Sequence, residues 1–182
     1  MSDLTFVRDS RAPPIEFSVA PLHNLLCDLC MLNQAHLDHI SPWVDQLVQR
    51  ITPQEREAAE LACQAVIHLR WLQASTMEEF IEGLAAADTH RIVRVWLDEL
   101  IERASSYLDD IPSAETLITD REAFLDVRRR LMEMKEANEF DEAEAVRDFE
   151  RFGDPVALQQ EIVGALEHFW NDYLREEWEQ VE

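Results

Sequence analysis

Only three glycines, Gly83, Gly153 and Gly164, occur in 182 residues. Glycine supplies left-handed backbone conformations and lets the main chain approach a ligand closely, and about 7% of it is usual in a globular chain. Three glycines do not furnish a GxGxxG dinucleotide turn, a phosphate-cradling loop or the many tight turns of a β-sandwich. The scarcity points to helices joined by short connections. The length suits one domain, and no apolar run approaches the roughly 18 residues that cross a membrane. With no basic-then-apolar leader at its start, the chain is expected to be cytoplasmic, with no membrane partner.

Helix-start chemistry recurs along the sequence. Ser41-Pro42 sets a cap before a proline, and Thr52 with Glu55, Thr76 with Glu79 and Thr119 with Glu122 have capping-box spacing. Asp154-Pro155 opens a last helix after Gly153, which suits the left-handed residue closing the helix before it. Between these signals the apolar period is near 3.6: Ile92, Val93, Trp96, Leu97, Leu100, Ile101, Ala104 and Leu108 form one face. Leu158, Ile162, Leu166, Phe169, Trp170, Tyr173, Leu174 and Trp178 form another. The expected fold is all-α, a single multi-helix domain over 21–182. About seven or eight helices are predicted, near 21–34, 42–50, 53–73, 77–86, 89–108, 121–136, 139–151 and 155–181. Residues 1–20 read differently. The short runs Leu4 to Val7 and Ile15 to Val19 predict an extended segment or hairpin, which needs the helices or a partner subunit to lie on.

The formal charge of −22 argues against direct nucleic-acid binding, because affinity for a phosphate backbone comes from Lys and Arg that neutralise it. Fifteen of the sixteen basic residues are Arg, so amine chemistry has one candidate, Lys135. Glu-x-x-His, HExxH and GxSxG patterns are missing, so no enzyme and no cofactor are expected. Three cysteines in a chain without a leader read as reduced thiols. Cys27 and Cys30, one helical turn apart, with His23 nearby, are the metal-ligand candidates. Leu25, Leu26, Leu29 and Leu32 crowd the same stretch, where cysteine serves as a small apolar residue, and a structural zinc lacks its four ligands. The expectation is no metal.

His68, Trp71, Arg94 and Trp96 are the ligand-pocket candidates, since Arg and Trp together line sites for aromatic or anionic small molecules. Core tryptophans with surface Arg–carboxylate pairs are the competing account. Arg128-Arg129-Arg130, among Glu122, Asp126, Glu133 and Glu136, reads as a solvated helix face. The stretch from Met134 to Asp148 is similar to the UVR helical hairpin of nucleotide-excision repair proteins. A helix–turn–helix hairpin with Phe140 and Ala143 packed inward explains it as well.

A more specific likeness lies at the two ends. Pro14-Ile15-Glu16-Phe17-Ser18-Val19-Ala20-Pro21-Leu22-His23-Asn24-Leu25-Leu26 resembles the opening of the N-terminal helical region of bacterial ArsR-like winged-helix transcriptional regulators. Phe169-Trp170-Asn171-Asp172-Tyr173-Leu174-Arg175-Glu176-Glu177-Trp178 resembles the helix that leads towards their DNA-binding part. The resemblance implies an accessory region for dimerisation or effector sensing, working as a homodimer and touching DNA only through a winged helix beyond Glu182. Cys-Asp-Leu-Cys also resembles a metal-sensing motif of the broader ArsR group, but no recognition-helix pattern follows it here and its ligand role is not carried over. The alternative is a stand-alone small-molecule or metal-binding helical protein.

Overall fold

Local capping chemistry starts most of the helices. The computed structural model describes residues 42–68, 72, 74–134 and 140–175. Among these are eight α-helices: α1 (Pro42–Arg50), α2 (Pro53–His68), α3 (Met77–Ala85), α4 (Thr89–Ser105), α5 (Ala114–Thr119), α6 (Arg121–Met134), α7 (Glu142–Gly153) and α8 (Pro155–Phe169). A π-helical turn, Trp170–Leu174, continues α8. The fold is all-α, without a strand among the described residues, and no described helix is long and apolar enough to cross a membrane. The expected segment 1–20 and helix 21–34 lie outside the described residues, as do Cys27, Cys30 and His23.

The Thr52–Glu55 capping box forms reciprocally, with Thr52 N–H on Glu55 Oε2 at 2.6 Å and Glu55 N–H on Thr52 Oγ1 at 3.2 Å. At α3 the Thr76 hydroxyl accepts from Glu79 N–H, but Glu79 reaches one residue further back, to Ser75 N–H. Asp88, Ser113, Asp141 and Asp154 cap α4, α5, α7 and α8.

Several expectations are corrected. Thr119 does not open α6. It ends α5, its hydroxyl donating to the Glu115 carbonyl at 2.7 Å, and Asp120 accepts from Ala123 N–H instead. The six-residue α5, which the expected helices do not include, is too short to display a helical period. Gly153 is the last residue of α7, and Asp154, with φ −127°, donates to the Arg151 carbonyl to close it without a left-handed residue. Ala143 is exposed, and Ala145 takes the buried place. Cys63, buried on α2, is disulfide-bonded rather than reduced. A bridge needs two cysteines with Cα atoms within about 7 Å, a tertiary proximity that sequence spacing does not reveal.

The last helix is not uniform. Its π turn adds a residue to one coil, so that Phe169, Trp170 and Leu174 are all buried. In a continuous 3.6-residue period the inward position after Phe169 would drift to Tyr173. α8 is the central element. It packs on α2, α3, α4 and α7, while α6 pairs with α5 and with α7 as a hairpin. Leu158, Ile162, Leu166 and Phe169 of α8 belong to the same buried core as Leu84, Ile92 and Leu97. Gln159, the one buried polar residue on this helix, donates from Nε2 to the carbonyls of Leu84 (2.7 Å) and Ala87 (2.9 Å), closing the C-terminus of α3.

Candidate functional site

The ends of α2 and α7 and the middles of α4 and α6 leave a cleft of about 240 Å³. Its floor is aromatic. Trp96 of α4 lies edge-on to Phe152 of α7, with centroids 5.6 Å apart, and Phe152 meets Phe124 of α6 edge-on at 5.8 Å. His68, at the end of α2, sets its ring against Trp96 at 5.8 Å. Helical spacing delivers the wall: Trp96, Glu99, Leu100 and Arg103 recur at intervals of three and four along α4 and so share one face.

Charges ring this floor in pairs. His68 Nδ1 is paired with Glu99, whose other oxygen accepts from Arg103 Nη2 at 3.1 Å. Across the cleft Arg128 Nη2 lies 3.2 Å from Asp148 Oδ2 and 3.4 Å from Glu144 Oε1. Asp148 is mostly buried, its side chain 19% exposed. Burial pushes its carboxyl pKa up, the Arg128 guanidinium opposes the rise, and Glu144 adds to it. The Trp96 indole N–H is buried and has no hydrogen-bond partner among the described residues. A buried donor left unpaired costs about 1–3 kcal/mol.

Of the four pocket candidates, the structure brings His68 and Trp96 together. Trp71 lies outside the described residues. Arg94 is not in the cleft: it stands exposed, bonded to Asp98 at 2.8 Å and to Glu115 at 2.7 Å, and the bond to Glu115, then that to Asp98, raises its guanidinium pKa. Positions two apart on a helix differ by about 200° in direction, so Arg94 and Trp96 do not share a face. Sequence reasoning missed Glu99, Arg103, Arg128, Asp148, Phe124 and Phe152. The i, i+3, i+7 series from Trp96 to Arg103 was visible, but the approach of α6 and α7 was not. The basic run is divided: Arg128 enters the cleft, Arg129 lies over the Phe140 ring at 5.3 Å, and Arg130 stays near Asp126 at 3.5 Å.

A second cluster joins the π turn to α2. His168 Nε2 and the Tyr173 hydroxyl both contact Glu55 Oε1, at 2.9 and 2.8 Å, and His168 Nδ1 lies 2.7 Å from Asp172 Oδ2. A carboxylate oxygen stands at each ring nitrogen of His168, so neither is open to an incoming group. Glu55 is pulled down to about 2, first by the Thr52 backbone and then by the Thr52 hydroxyl, His168 and Tyr173, which makes it a poor base at neutral pH. Beside it, the Trp170 indole and Arg175 both donate to Glu78 Oε1, at 2.8 and 2.9 Å. This cluster is a latch holding the π turn on α2 and α3. Among the described residues, no three His, Cys, Asp or Glu side chains are grouped to hold a metal ion.

No protein-family model, curated protein or solved structure matches the chain.

Proposed function

We propose that this chain is the effector-sensing region of an ArsR-like transcriptional regulator, neither an enzyme nor the DNA reader, with the cleft between α2, α4, α6 and α7 as its effector site. The observation that carries the reading is the Trp96 indole N–H, buried and unpartnered beside a cleft with an aromatic floor and a charged rim. A ligand acceptor would relieve that defect. The charge of −22 and the resemblance at the two ends of the chain support a region that leaves DNA contact to a winged helix elsewhere in the regulator.

The test is a screen of small molecules of all three charge classes against the indole N–H signal of Trp96, assigned by its disappearance in Trp96→Phe. Saturable movement of that signal by at least one class is expected; none from any class removes the effector reading. The proposal includes a homodimer, and light scattering that shows only monomer at high concentration counts against that part. A stand-alone small-molecule-binding protein would use the same cleft. The two readings part on whether the reading frame runs past Glu182 into a basic winged helix.

A further inference from the structure

We infer that the cleft takes a small aromatic carboxylate, its ring against Trp96, Phe124 and Phe152 and its carboxylate on Arg103 and Arg128. This rests on the reading of the cleft as an effector site and adds the ligand's chemistry.

The inventory of donors and acceptors decides the charge. Glu99 is already satisfied by His68 and Arg103, and Asp148 by Arg128 at 3.2 Å with Arg151 at 3.9 Å. The carboxylates therefore have little to offer an incoming cation. The donors are in surplus. A guanidinium has five N–H groups. Among the described residues Arg103 uses only its Nη2, towards Glu99, and Arg128 only its Nη2, towards Asp148 and Glu144. Trp96, 8% exposed, adds an indole N–H with no acceptor among the described residues. A site with spare donors and occupied acceptors selects a ligand rich in acceptors, and a carboxylate matches the fork of an arginine.

Position and size decide the rest. Arg103 is half exposed, so it can turn from Glu99 towards a ligand with little loss. Three aromatic rings at the floor reward a flat apolar body by stacking or edge contacts. A volume of about 240 Å³ falls below the range of about 300–1,000 Å³ common for drug-sized ligands and limits the guest to one ring with a short substituent. In a chain of charge −22, a rim in which Arg103 and Arg128 balance Glu99 and Asp148 is less hostile to an anion than the protein as a whole.

The experiment titrates benzoate, benzyl alcohol and benzylamine, three single-ring probes that differ in charge, while the Trp96 indole N–H is followed by NMR. Benzoate should move that signal saturably, and it should bind at least about tenfold more tightly than the other two, the worth of one charge-assisted hydrogen bond. Arg103→Gln, at a half-exposed position, should keep the melting temperature and weaken benzoate about tenfold, and Arg128→Lys should weaken it too. Equal or tighter binding of benzylamine or benzyl alcohol overturns the carboxylate and leaves the effector site standing. So does benzoate binding that neither variant weakens. Silence towards all three probes overturns the inference and the effector site together.

Discussion

His168 Nε2 lies 2.9 Å from Glu55 Oε1, and this contact ties the end of the last helix to the first turn of α2 across 113 positions of sequence. The same oxygen accepts from the Tyr173 hydroxyl at 2.8 Å, while Oε2 takes the Thr52 N–H. One carboxylate thus caps a helix and fastens the π turn. Tyr173 responds in kind: its bond to Glu55, and then burial, raise its hydroxyl pKa.

The latch makes stability depend on acid. In the folded chain Glu55 titrates near 2, below its ordinary 4.5. A carboxyl with a depressed folded pKa contributes stability that is complete above the unfolded value and is lost as pH falls through the folded one. Thermal melts of Glu55→Gln should therefore fall below those of the native chain at pH 7. The gap should narrow as pH drops from about 4.5 towards 2. A gap independent of pH would assign the loss to packing alone.

Gln159 should be sensitive to both apolar and charged replacement. Gln159→Leu takes the Gln159 donor from the Ala87 carbonyl and leaves the Leu84 carbonyl to the Ala87 N–H at 3.1 Å, and is expected to cost about 1–3 kcal/mol in urea denaturation. Gln159→Glu should cost more, because a carboxylate would face two carbonyl oxygens in a buried position. Equal stability of Gln159→Leu and the native chain would show that α3 closes without this bond.

Trp96 separates packing from hydrogen bonding. Trp96→Ala removes the ring between His68 and Phe152 and should cost about 3–5 kcal/mol. Trp96→Phe keeps a ring and deletes the orphaned N–H, so its loss should be far smaller, measured by the same denaturation. If Trp96→Phe costs as much as Trp96→Ala, the indole N–H has a partner in solution.

The disulfide at Cys63 can be counted. With Cys27 and Cys30 as the remaining cysteines, denatured unreduced protein should take up one alkyl group by mass spectrometry, and reduced protein three (3 − 2 = 1). Three before reduction would show Cys63 as a thiol. Removal of one native bridge commonly costs about 2–5 kcal/mol in a small domain, so reduction should also lower the melting temperature.

Helix starts were legible because capping is local. Thr52–Glu55, Thr76 and Asp154 act within four residues of themselves, and each opens a helix where the spacing placed it. Thr119 misled because Asp120, its neighbour, competes for the same amide region with a carboxylate, a better acceptor than a hydroxyl. The short α5 carried only one turn of pattern, although Ser113 and Thr116 stood at capping distance. The π turn had no local signal: its five residues fit a 3.6-residue period until Glu55 and Glu78 pull Tyr173 and Trp170 to opposite partners.

What this sequence determined alone is its class: three glycines, dense caps and a 3.6-residue apolar period leave helices as the structure that satisfies the backbone and buries the apolar face. It also put His68 and Trp96 among the side chains worth watching. Only the tertiary structure decided that Arg94 faces solvent, that Arg128 leaves its basic run for a cleft, and that Glu55 serves two distant donors. Period and capping are interactions over three or four residues. Which helix lies beside which is set by how whole faces interlock, and no short window of sequence contains that.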